Sequence, residues 1–186
     1  MSVVPTTSPN FKANVKEALA DEQLQNALAN IKNGFVRNRR IASERLAEFE
    51  ALRDQARDIK THTIEHLDVY LEIYQQNVEA SGGQVHWAMD EVEARKIILE
   101  ICQNADAKTV TKGKTMIGEE IGINEYLEEN GIEPIETDLG EYIIQLRGEM
   151  PSHIIAPATH VSKEQVADAF KESHTELDAD RSLEDA

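Results

Sequence analysis

The chain has 186 residues, 40% of them hydrophobic, which is enough for one domain with a real core. Its 35 Asp and Glu against 19 Lys and Arg leave a formal charge of -16, which repels phosphate backbones and anionic membranes and argues against nucleic acid as a partner. The single cysteine, Cys102, excludes an internal disulfide and cannot by itself hold a structural zinc or an iron-sulfur cluster.

Met1 to Asn10 is rich in Pro, Ser and Thr, so residues 1–10 are expected to be disordered. This stretch has neither a basic n-region nor an apolar h-region, and no later segment approaches the ~18 uninterrupted apolar residues of a membrane span. A cytoplasmic protein is expected. Residues 11–81 form a helical region: Leu24, Ala27, Leu28 and Ile31, then Leu46, Phe49, Leu52, Ala56 and Ile59, recur at helical spacing. Breaks are predicted near Gly34 and Lys60, with Asp21 and Ser43 as N-caps, and Arg37, Arg39 and Arg40 mark a solvated junction.

The pattern changes at Ser81-Gly82-Gly83, where a glycine pair ends the helix. Residues 82–186 read as an α/β domain. The predicted order is strand 84–88, helix 90–104, strand 107–111, helix 117–130 and strand 132–136. A mixed stretch then runs to Arg147, followed by strand 153–156 and helix 162–173. Asn130-Gly131 supplies a helix stop and Ser162 a cap. This alternation predicts a mainly parallel, Rossmann-like sheet, with exposed edges because no closing strand follows.

Several motifs carry candidate chemistry. His62, Glu65 and His66 spell H-x-x-E-H, an inverted zinc-protease pattern, on a helix that also carries Leu67, Tyr70, Leu71 and Tyr74. With no third ligand announced, the pair reads as a polar shoulder beside a packing face, and no metal site is expected. No glycine-rich dinucleotide or P-loop motif follows a predicted strand.

Lys112-Gly113-Lys114-Thr115 sits at the carboxyl end of a strand and before a helix, where α/β sheets gather ligands. Two ammonium groups there suit a small carboxylate or phosphate; equally, they neutralise Glu119 and Glu120 in the next helix. Glu136-Thr137-Asp138 and Pro157-Ala158-Thr159-His160 would reach the same rim, with His160 a candidate proton carrier. Polar strand-end loops also serve solubility alone. His86 beside Trp87 reads as a packed residue, and Arg147 as a surface or interface residue.

The stretch KGKTMIGEEIGINEYLEENGIEPIETDLGEYIIQLRGEMPSHIIAPATH, with FKANVKEALADEQLQNAL, LRDQARDIKTHTIEHLDVYL and GGQVHWAMDEVEA before it, resembles the LUD domain of the lactate-utilisation iron-sulfur proteins. That family is the B-type subunit of a bacterial L-lactate-oxidising system. The resemblance covers nearly the whole chain and makes H-x-x-E-H an ordinary part of a helical region.

It implies a fold similar to sugar-phosphate isomerases and CoA transferases, and a role in oxidising L-lactate to pyruvate together with other subunits. It also implies two four-iron clusters, held by cysteines in a C-terminal region beyond these residues, so the chain alone is not redox-competent. On this reading residues 82–186 are the N-terminal portion of the domain, in a fragment or a truncated homologue. Lys112, Lys114, Glu119, Glu120, Asp138 and Glu141 match the family's characteristic blocks and are candidate ligand-binding positions. A small-molecule binder using the lysine rim, or a structural adaptor docking a partner through its helices, are the competing readings.

Overall fold

The computed structural model describes residues 8–152 and 156–175. Ten α-helices and two strands occupy them: α1 (Phe11–Ala20), α2 (Glu22–Ile31), α3 (Arg37–Arg45), α4 (Phe49–Glu65), α5 (Leu67–Ala80), α6 (Glu91–Asn104), β1 (Thr109–Lys112), α7 (Met116–Glu120), α8 (Ile123–Glu129), β2 (Glu133–Glu136), α9 (Leu139–Arg147) and α10 (Lys163–Ser173). The chain divides into two units. Asn30–Ala88 forms one, and the residues through Ala29 join those from Met89 onward in the other.

The unit Asn30–Ala88 is helical. Near Gly34 the helix does not break: Lys32–Val36 is a π-helical segment joining α2 to α3. The break falls later, where α3 gives way to extended backbone at Leu46. Nor does one occur near Lys60, because α4 runs on to Glu65 and the interruption is at His66. Ser43 is no N-cap; it lies inside α3 and its hydroxyl donates to the Arg40 carbonyl at 2.8 Å. Gly82, at φ 87, supplies the expected stop of α5.

No strand forms over 84–88. A β-type composition needs a partner strand to pair with, and here Trp87 Nε1 instead donates to Gln75 Oε1 at 2.8 Å, back onto α5. His86 is exposed rather than packed.

In the other unit, Asp21 caps α2 by accepting from the Leu24 amide at 3.0 Å. Asp90 caps α6 likewise, accepting from Glu93 N at 2.8 Å, while Glu93 Oε2 takes the Met89 amide. Asp106 at φ 52 turns the chain out of α6, and Ala107 N bonds Cys102 O, which delays the strand expected at 107 to Thr109.

The two strands pair in parallel, Thr109 with Glu133 through Lys112 with Glu136. Among the described residues the sheet is this pair and not the four-strand array expected. The predicted strand 153–156 falls mostly outside the described residues.

The helix expected over 117–130 is two, because Gly122 at φ 63 separates α7 from α8. Leu99 and Cys102 of α6 pack with Ile123 and Leu127 of α8 and with Ile132 as the buried core, flanked by Val110 and Tyr126. The mixed stretch before Arg147 is the helix α9, capped by Asp138 through Gly140 N at 3.2 Å and stopped by Gly148 at φ 60. It buries Ile143 and Ile144, and Tyr142 stacks edge-on against Phe170 of α10. Ser162 and Gln165 form a reciprocal capping box on α10.

Candidate functional site

The register of the two strands builds the site. Lys112 and Glu136 are direct partners across the ladder, so their side chains leave the sheet on the same face. There they form an ion pair, with the lysine side chain 11% and the carboxylate 4% exposed. Thr137 ties the strand ends together, its amide and hydroxyl both donating to the Lys112 carbonyl, at 2.8 and 3.0 Å. This closeness requires Gly113, since a Cβ there would lie 2.7 Å from Thr137 Oγ1.

Lys114 follows in left-handed backbone, φ 55, a conformation uncommon for a residue with a side chain. It points the Lys114 amide at Glu141 Oε2, 3.0 Å away, while Nζ pairs with Asp138. The bond from Lys114 holds the Asp138 carboxyl below the ordinary range and raises the lysine in return. Lys112, Lys114, Asp138 and Glu141 thus meet at one strand-end cluster. The lysines are taken up by carboxylates from β2 and its following loop.

Gln145 of α9 completes the support. Its Nε2 donates to the Pro134 carbonyl at 2.7 Å and its Oε1 accepts from Glu136 N at 3.0 Å. A side-chain amide therefore stands where a third strand would pair, closing the outer edge of β2.

Beside this cluster lies a cavity of about 140 Å³, lined by Glu119, Asn124, Glu136, Glu141, Gln145 and Glu149 among others. Glu136 Oε2 and Asn124 Oδ1 are buried there without a hydrogen-bond partner. The lining is rich in acceptors and negative charge. Glu120 is exposed on α7.

His160 is held elsewhere. Its Nε2 donates to Glu149 Oε2 at 2.9 Å, and Glu149 Oε1 accepts from Arg147 Nη2. Arg147 holds the Glu149 carboxyl below its usual range, and His160 adds to the effect. Beside Arg147 and His160 a second, open cavity of about 370 Å³ is lined also by Asp21, Gln23, Ser152 and Gln165 among others. Gln23 Nε2 reaches the His160 carbonyl at 3.4 Å and Gln165 Oε1 at 2.8 Å. Arg147 is accordingly half-buried, its side chain 23% exposed.

Sequence reading passed over Asn124, Gln145 and Glu149, and gave Arg147 no role in the site. A signal for Gln145 and Arg147 was present: Asp138 and Gly148 frame a capped helix that carries both, two residues apart. His62 and His66 stack with ring centroids 4.3 Å apart on exposed helix, and His66 Nδ1 lies 2.9 Å from the His62 carbonyl. Among the described residues no group of three or more His, Cys, Asp or Glu is arranged to hold a metal ion. Cys102 is buried in the apolar core, and one enclosed thiol does not fit the several-thiolate ligation of an iron-sulfur cluster.

No described helix is long and apolar enough to cross a membrane. The chain is 37% identical over 163 residues to the "Uncharacterized electron transport protein YkgF" of Escherichia coli (strain K12), covering 88% of this chain and 34% of that protein. It is 40% identical over 162 residues to lactate utilization protein B of Bacillus thuringiensis (strain Al Hakam), covering 87% and 34%, with the same figures for Bacillus anthracis (strain A0248). The chain spans about a third of the length of the curated relatives it matches. No solved structure matches it. The LUD domain profile matches residues 71–186, more than half of the sequence, and the chain belongs to the LUD domain family.

Proposed function

We propose that this chain is the N-terminal LUD-domain portion of an iron-sulfur subunit in a cytoplasmic system that oxidises L-lactate to pyruvate. The observation that carries this reading is the alignment of nearly nine-tenths of the chain with relatives named for electron transport and lactate utilization. Those relatives are roughly two and a half times as long as this chain, and the clusters that pass electrons onward belong to sequence outside these residues. The chain's own contribution is scaffold, ligand recognition and docking, with a small carboxylate as the ligand.

The parallel pair and its helices fit the first part of a larger Rossmann-like sheet of the kind found in sugar-phosphate isomerases and CoA transferases. Gln145 occupies the outer edge of β2, so further strands would add beside β1.

A docking role rests on a separate observation. No residue of Asn30–Ala88 is buried, and Leu52, Ile59, Ile64 and Tyr74 present apolar surface to solvent. Other subunits of the lactate system are the proposed occupants of that surface.

The test is genetic. The reading frame should continue past the codon for Ala186 into cysteine clusters, and a strain lacking the gene should fail to grow on L-lactate until the full-length gene is restored. A stop codon directly after Ala186, or undiminished growth, contradicts the proposal.

A further inference from the structure

Two helical surfaces of this chain carry opposite charge. Residues 32–45 hold Lys32, Arg37, Arg39, Arg40 and Arg45 against Glu44 alone, in a chain whose formal charge is -16. From Thr115 to Leu146 the balance is reversed, with nine Asp and Glu and no Lys or Arg.

On α3, Arg37, Arg40, Ile41 and Arg45 share one side, because they stand at three- and four-residue spacings. The three arginines are exposed. Arg40 meets Glu44 only at 3.8 Å, and neither Arg37 nor Arg45 has an ion-pair partner among the described residues. Arg39, on the other side, stacks over Phe49 at 5.7 Å. The neighbouring helix is different: Arg53 and Arg57 of α4 are matched by Glu50 and Asp54 one turn away, as on an ordinary solvated face. Val36, four residues before Arg40, adds exposed apolar surface beside the arginines.

The acidic surface lies on α7 and α8. Glu125, Glu128 and Glu129 stand at i, i+3 and i+4 on α8, where like charges repel, and all three are exposed. Glu120 is exposed on α7, on the side that carries Met116 and Ile117, themselves exposed. None of these four glutamates has an ion-pair partner among the described residues. Arg95 of α6 reaches α8, but it stacks over Tyr126 and donates to the Ile121 carbonyl at 2.6 Å.

Each surface thus lacks what the other has. Unpaired arginines flank Val36 and Ile41, and unpaired glutamates flank Met116 and Ile117. Arginine suits such a contact, because its planar fork matches a carboxylate and is weakly hydrated, and arginine is enriched in protein interfaces where lysine is depleted. A membrane or a nucleic acid laid on α3 would extend past it over a chain of strong negative charge, which opposes both. A compact carboxylate surface of another protein molecule avoids that cost.

We propose that the arginine side of α3 docks on the glutamate side of α7 and α8 in a second copy of this chain. The guanidinium groups of Arg37, Arg40 and Arg45 are taken by glutamates of the partner copy, and the apolar residues between them meet. Each copy supplies both surfaces, so two copies can make the contact twice about a two-fold axis.

The experiment is sedimentation equilibrium of the 186-residue chain and of two double variants, Arg37→Glu with Arg40→Glu and Glu125→Arg with Glu129→Arg. All four positions are exposed, so the fold is retained and the far-ultraviolet circular dichroism should match that of the unaltered chain. The unaltered chain should rise in mass from monomer toward dimer with concentration. Each variant alone should associate about tenfold or more weakly, since it sets like charges against each other. An equal mixture of the two variants should regain association, because the reversed α3 then meets the reversed α8.

An unaltered chain that stays monomeric up to ~1 mM overturns the proposal. So does a variant that associates as tightly as the unaltered chain, which is the outcome expected if copies meet through α4 and α5, and so does a mixture that fails to associate. The readout is self-association, which is separate from growth on L-lactate and from the functional reading.

Discussion

The two units of this chain are built on different terms. Leu99, Cys102, Ile123, Leu127 and Ile132 form an enclosed core in the α/β unit, whereas the helices of Asn30–Ala88 enclose no side chain at all. Charge divides the same way. Residues 30–88 carry 8 Lys and Arg against 9 Asp and Glu, and the rest of the chain has 11 against 26. A helix with an apolar stripe and no partner gains little from folding beyond its own weak propensity, because most helical stability in proteins comes from tertiary burial. The α/β unit is thus stabilised from within, and the helical unit leaves its apolar surface exposed.

The largest effect should come from the core. Leu127 is 1% exposed, and Leu127→Ala should cost the α/β unit about 2–5 kcal/mol in denaturant unfolding. A cost under about 1 kcal/mol would mean that this core does not hold the unit together.

Lys112→Ala should follow closely, at about 3 kcal/mol, since it strands the Glu136 carboxylate in a nearly closed environment. Lys114 offers the internal control. Its side chain is 79% exposed, and Lys114→Ala should have a far smaller effect on the same unfolding curve. Equal losses at the two lysines would contradict the burial difference between them.

Acid should act on the α/β unit selectively. Glu149 and Asp138 titrate below the ordinary carboxylate range when folded, so their ion pairs are fully in place above that range. Their contribution fades as pH falls through the depressed values. Thermal unfolding followed at core residues should hold steady above pH ~5 and decline below pH ~4. Lys114 carries the opposite sign, and its contribution is lost only as pH rises through its raised value.

The smallest effect belongs to the helical unit. Ile59 is 67% exposed, and Ile59→Ala should change the stability of the chain by about 0.5 kcal/mol or less. A larger loss in the isolated chain would show that α4 already packs against something.

Local signals in the sequence carried much of this. Gly82, Asp21, Ser162 and Asn130-Gly131 mark real helix ends because caps and left-handed stops are set by neighbouring atoms. The parallel pairing of the strands before and after the Met116–Glu129 helices was readable from their alternation. The strand at 84–88 was not, because pairing is a non-local property that residue type does not encode. Gly122 split a predicted helix for the reason that any helical period tolerates a glycine until its φ turns positive.

The site was legible in part. Lys112, Lys114 and Asp138 do converge, as their positions after strands implied, and Glu141, singled out only through the family resemblance, meets them from α9. Their partners were not foreseeable, since spacing alone does not say whether a lysine faces a ligand or a carboxylate. Gln145 and Arg147 lay hidden in a stretch left without a defined element, although Asp138 and Gly148 framed its helix.

Hydrogen exchange across the isolated 186-residue chain, resolved by segment, tests the contrast between the units most directly. Slow exchange in α6, α8, β1 and β2, alongside rapid exchange through α4 and α5, is the predicted result. Equal protection of α4 and α5 would contradict it, because those helices would then possess a core of their own.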